Sequence, residues 1–158
     1  MFDAAGPDLA AECEELGACR TGQAKATGAG CLPAQRVIHT VGPRYAEKYH
    51  TAAENALSHC YRGALECLVD ECGLRTIAIA PVYTEAKGYP RDAAAHVAVR
   101  TVRRFLERWS SKVDAVVLCV PPKDSAHYRA TLPLYFPRTA EVGECKLKSV
   151  LKATGLSD

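Results

Sequence analysis

No apolar run in this chain approaches the ~18 residues of a membrane-spanning helix, so no part of it is read as a span and no membrane partner is expected. Its opening, MFDAAGPDLAAECEELG, lacks the basic and then apolar layout of a secretory signal, and the chain is expected to be intracellular and cytoplasmic. An excess of one charge is missing as well. Lys and Arg total 20 against 18 Asp and Glu, and a net charge of +2 gives no field to hold nucleic acid. There is no internal repeat. No C-x-x-C occurs among the eight cysteines, which argues against a zinc site, and no cofactor is expected.

What is present suits one domain: 158 residues with 48% apolar content, enough for a core. Residues 76–91, TIAIAPVYTEAKGYPR, are its centre. Residues 76–82 read as a strand buried on both faces of a parallel sheet, followed by a loop and then a helix near Pro90. Loops from a parallel strand into a helix N-terminus are where open α/β sheets bind ligands. Other strands are expected at 21–26, 35–41 and 114–120, and helices at 7–16, 51–72, 91–109 and 125–132. Thr51 and Glu54 have capping-box spacing, Ser125 is placed to cap the last helix, and Pro7 and Gly17 bracket the first. The alternation of strands and helices is that of a parallel sheet covered on both faces, hence an α/β class.

Several residues invite other chemistry. His39 and Cys119 resemble a base and nucleophile, but both fall in expected strands, so a packed thiol and a satisfied core histidine are preferred. His59, Cys60, Cys67 and Cys72 scatter around a helix rather than converge on a metal, and the cysteines read as free, buried thiols. Arg100, Arg103, Arg104 and Arg108 are interrupted by Glu107 and have no aromatic platform, so a solvated helix face is preferred to a nucleic-acid grip.

The segments AGPDL at 5–9, CRTG at 19–22, RVIHTVGPRY at 36–45, ALSHCYRGAL at 56–65, PVYTEAKGYP at 81–90, RTVRRFLE at 100–107 and LPLYFPR at 132–138 together resemble a macrodomain, most closely that of the ganglioside-induced differentiation-associated protein 2 family. The resemblance implies a three-layer α/β/α fold and ADP-ribose or a related nucleotide as ligand. In the family a first strand, an inner strand with an Asn-rich motif and a glycine-rich loop precede the part matching Ala5. The resemblance therefore implies an amino-terminally truncated macrodomain over 1–138, a tail or linker over 139–158, and no counterpart of the catalytic asparagine.

It also implies that the candidate ligand-binding residues are Tyr83, Thr84, Glu85, Ala86, Lys87, Gly88 and Tyr89, with no catalytic residue. Binding macrodomains have a small residue, glycine, an aliphatic residue and an aromatic where this chain has Thr84, Glu85, Ala86 and Lys87. Glu85 puts a negative charge where a backbone N–H should meet a diphosphate, a repulsion of ~1 kcal/mol or more. Lys87 can offset this through a phosphate. The expected function is a degenerate nucleotide-binding or interaction module without catalysis; the alternatives are an ADP-ribosyl hydrolase and a fragment with no independent binding function. The inner strand of the family lies between the strands matching 35–41 and 76–82. A split sheet or direct pairing of those two is expected, with self-association through bare edges.

Overall fold

The structure, a computed structural model, describes residues 2–83 and 87–137. In chain order these form α1 (Phe2–Ala5), α2 (Pro7–Glu15), β1 (Ala24–Thr27), β2 (Val37–Thr40), α3 (His50–Glu66), β3 (Thr76–Ile79), α4 (Arg91–Trp109), β4 (Ala115–Leu118) and α5 (Pro122–Tyr135). Every helix and strand expected from the sequence is present, and α1 is an addition. The class is α/β.

The pairing differs from an all-parallel sheet. β3 and β4 are parallel, Thr76 opposite Ala115 and Ile79 opposite Leu118, but β1 and β2 are antiparallel, Ala24 opposite Thr40 and Thr27 opposite Val37. The connection over residues 28–36 is too short for the crossover of a dozen or more residues that parallel neighbours require. β2 and β3 do not pair, so the sheet is split into two two-stranded pieces. β3 is correspondingly not buried on both faces: Ile79 points into the core, while Thr76 and Ala78 are exposed.

The core lies between α3, α4 and the inner sides of β3 and β4. α3 contributes Leu57, Tyr61, Ala64 and Leu65 at helical spacing, and α4 contributes Ala94, Val97, Ala98, Val102 and Phe105. Burial of each large apolar side chain contributes ~1.5–3 kcal/mol, so this helix pair dominates the stability. Ser58 and Thr101, facing across it, bond at 3.0 Å, and Thr101 donates to the Val97 carbonyl at 2.7 Å.

The helix ends carry most of the corrections. α3 starts at His50 after a single tight turn, Glu47–Tyr49, and has no side-chain cap; the Thr51 hydroxyl lies 3.2 Å from His50 Nε2, and Glu54 instead holds Arg100. A long-range ion pair thus displaces the local capping box, and Arg100 is half-buried rather than solvated. Its neighbours Arg104 and Arg108 are exposed, as expected. α5 begins at Pro122, so Ser125 lies inside its first turn, and the helix continues past Pro133 to Tyr135. Gly17 and Gly73 both take the left-handed conformation, at φ 62°, that ends a helix. Cys60 and Cys67 are buried, but Cys72 is half-buried and Cys119, just beyond the end of β4, is exposed.

Candidate functional site

The chain leaves β3 through Pro81, Val82 and Tyr83 and re-enters the described residues at Lys87. Thr84, Glu85 and Ala86, three of the candidate ligand residues, lie outside the described residues. Both ends of the loop are fixed. The Val82 N–H donates to the Tyr61 hydroxyl (3.0 Å), and Tyr61 is itself fully buried in α3. On the far side, the Lys87 ammonium donates to the Gly42 carbonyl beyond β2, and the Tyr45 N–H donates back to the Lys87 carbonyl (2.8 Å). Gly42 is required here because a Cβ at that position would stand 2.2 Å from the Val82 carbonyl oxygen. Two strands that share no ladder are therefore joined at their ends by Gly42, Val82 and Lys87.

Gly88 is exposed and left-handed (φ 65°), and Tyr89 turns inward, 6% exposed, its ring 5.0 Å from that of Tyr45. Tyr89, a ligand candidate in the sequence, is here a packed side chain. Burial, and then the nearby Glu54 charge, pushes the Tyr89 phenol up to about 12, so it stays a neutral group. The Pro90 carbonyl accepts the Ala94 N–H (2.9 Å) and opens α4.

Beneath Tyr83 lies a polar cluster that spacing did not reveal. Asp124, in the first turn of α5, is 2% exposed, and its Oδ1 lies 3.2 Å from Arg91 Nη1 in the first turn of α4. Neither that oxygen nor the buried Tyr83 hydroxyl has a well-aligned hydrogen bond. Burial, with Asp124 beside it, raises the Tyr83 phenol, and burial likewise raises Tyr128, which faces Tyr61. The ion pair ties the start of α4 to the start of α5 behind the loop. The only cue in the sequence was that Asp124 and Arg91 are acidic and basic residues at helix N-termini, a pattern that does not name a partner.

His39 does meet a thiol, but that of Cys13 on α2 rather than Cys119. Its sulfur lies 3.6 Å from Nε2 and 3.9 Å from Nδ1. Near-equal distances place it away from either lone-pair axis, unsuited to in-line proton transfer. Thr27 donates its one hydroxyl proton to the Gly28 carbonyl (2.8 Å), so His39 Nε2–H must be the donor to Thr27 Oγ1 (2.8 Å). This is the satisfied histidine expected from the sequence. Burial lowers its pKa, so the stability it contributes is complete above the ordinary value of 6.5 and is lost as pH falls below that through the folded value. Urea midpoints at about pH 8 and about pH 5.5 should differ more for the wild type than for His39→Gln. An equal difference would remove His39 from the account.

Residues 1–98 match the Macro domain family. The chain belongs to the macrodomain family. It is 51% identical over 136 residues to the protein GDAP2 homolog of Nematostella vectensis, covering 85% of this chain and 27% of that protein. It is 42% identical over 158 residues to ganglioside-induced differentiation-associated protein 2 of Xenopus laevis, 100% of this chain and 32% of that protein. The chain thus spans less than a third of either relative. A crystal structure of the ganglioside-induced differentiation-associated protein 2 macro domain superimposes with a TM-score of 0.84 at 43% identity, over 88% of this chain and 69% of the other. An Oceanobacillus iheyensis macrodomain with ADP gives 0.76 at 31% identity, over 84% and 72%. This macrodomain is of the ganglioside-induced differentiation-associated protein 2 type, and its loop from Tyr83 to Tyr89 leaves the carboxyl end of β3, at the sheet end where α/β folds take ligands.

Proposed function

We propose that this chain is a degenerate macrodomain module that binds ADP-ribose or a related nucleotide weakly through the loop 83–89, or uses that surface for interaction, without catalysing hydrolysis. The observation that carries the reading is the Lys87 ammonium, the one positive group of the loop, held by the Gly42 carbonyl. That bond takes one of the three ammonium donors and fixes where the charge sits, so a phosphate can use Lys87 only from that position. The Oceanobacillus iheyensis and Trypanosoma brucei macrodomains with ADP support a nucleotide as the ligand class. Glu85 supports weak affinity on charge alone.

The non-catalytic part rests on the carboxylates near the loop. Glu54 is committed to Arg100 and Asp124 lies against Arg91, so among the described residues neither is left as a base to activate water. Association through the edges of β2 and β3 belongs to the same reading, as does an intracellular location. Two measurements test it. No ADP-ribose should be released from an ADP-ribosylated protein; turnover abolished by a single substitution within residues 84–90 would overturn the non-catalytic assignment. Glu85→Gly should tighten ADP-ribose binding by about tenfold, equivalent to ~1.4 kcal/mol. Unchanged or weaker binding would show that Glu85 does not face the phosphates.

A further inference from the structure

α3 does not end as an α-helix. Residues Cys67–Glu71 form a π-turn, closed by the Cys72 N–H on the Cys67 carbonyl (2.9 Å) and followed by the Leu74 N–H on the Leu68 carbonyl (2.9 Å). In an α-helix, residues five apart lie on different sides with Cα atoms ~8–9 Å apart, beyond the reach of a disulfide. The wider i to i+5 turn brings them onto one face at ~6 Å, inside the range a disulfide spans.

Both positions are cysteine. Cys67 is buried, and its S–H donates to Glu71 Oε2 at 3.3 Å; Cys72 is half-buried, and both are free thiols. Burial and the Glu71 contact push the Cys67 thiol up to about 12, and Cys72 is close enough to add to that rise. Cys67 and Glu71 also line a groove of about 300 Å³ between β1 and the end of α3, with Lys25, Glu66 and Asp70 on its walls, and Cys72 is itself half-buried.

We propose that Cys67 and Cys72 are a redox-modification site that closes reversibly to a disulfide within the π-turn, with Glu71 taking the proton of Cys67. The oxidant is a hydroperoxide. The Cys72 thiolate attacks its terminal oxygen, the O–O bond breaks, and an alcohol or water leaves, so that Cys72 becomes a sulfenic acid. Cys67 sulfur then attacks Cys72 sulfur while its proton passes to Glu71, and Glu71 returns that proton to the departing hydroxide, which leaves as water. Two thiols lose two electrons, and one peroxide becomes an alcohol and water. A small dithiol reverses the closure by exchange. The order follows from protonation: Cys67 stays a thiol until Glu71 accepts its proton, which leaves Cys72 to react first.

The tryptic peptide of residues 63–75, GALECLVDECGLR, contains these two cysteines and no other. The full chain treated with hydrogen peroxide and then alkylated should yield this peptide two hydrogens lighter and unalkylated, and dithiothreitol should restore both alkylation sites. Cys72→Ser should leave Cys67 alkylatable. Glu71→Gln should slow closure by at least about tenfold and accumulate a dimedone-trapped sulfenic acid on Cys72. Full alkylation of both residues after peroxide, pairing of either with another cysteine, or closure equally fast in denaturant would overturn the site. Closure of Glu71→Gln at the wild-type rate would overturn the role of Glu71.

Discussion

Gly42→Ala is expected to lower stability by about 3 kcal/mol and to release the loop that follows β3. The added methyl would meet the Val82 carbonyl oxygen at 2.2 Å, and that neighbour is backbone, unable to turn aside as a side-chain tip could. β2 and β3 share no ladder, so no strand-to-strand hydrogen bonds along their length resist separation once their ends are pushed apart. Two amides report the change. The Tyr45 N–H on the Lys87 carbonyl and the Val82 N–H on the Tyr61 hydroxyl should both lose hydrogen-exchange protection. Gly63→Ala is the control: its Cβ would sit 3.4 Å from the Ala24 Cβ, an ordinary contact, and alanine favours the helix. Wild-type stability and protection in Gly42→Ala would mean that the ends of β2 and β3 do not meet there.

Removing Arg91 should cost as much. Arg91→Ala leaves the Asp124 carboxylate 2% exposed without the guanidinium beside it, and breaking a buried pair from one side costs about 3 kcal/mol or more. For a chain of this length the melting temperature should fall by about 10 °C. Asp124→Asn in the same background should recover a substantial part of the loss, because the buried charge disappears with it. A loss equal in Arg91→Ala and in the double variant would show that Arg91 acts through its other contacts and not through Asp124.

Legibility in the sequence followed the range of the interaction. α3 and α4 were readable because their inward residues, from Leu57 to Leu65 and from Ala94 to Phe105, repeat every three to four positions and each helix buries one face against the other. The strands were readable from short apolar runs, and Gly73 and Gly17 from the left-handed turn each supplies. Strand direction was not. The cue was the brief helix-free connection over residues 28–36, which alone dictates antiparallel β1 and β2. The capping box failed because Glu54 has a stronger partner in Arg100, 46 residues on. Lys87 on Gly42, Tyr45 against Tyr89, Cys13 beside His39 and Arg91 with Asp124 all join residues brought together only by the fold, and no periodicity encodes them. The loop after β3 was readable from the strand-to-helix pattern of residues 76–91, and the family resemblance then named 83–89 as its ligand candidates. The choice of packing over ligand contact for Tyr89 needed its burial.

Calorimetric titration of the wild-type chain with ADP-ribose tests the central claim most directly. With the Lys87 ammonium anchored to Gly42, and on the proposal that Glu85 opposes the diphosphate, binding should have a Kd of about 1 mM or weaker, a standard free energy no better than about −4 kcal/mol. A Kd of about 1 μM, about −8 kcal/mol, would contradict the account, because the loop would then bind the diphosphate as a fully competent site despite the Glu85 charge in its sequence.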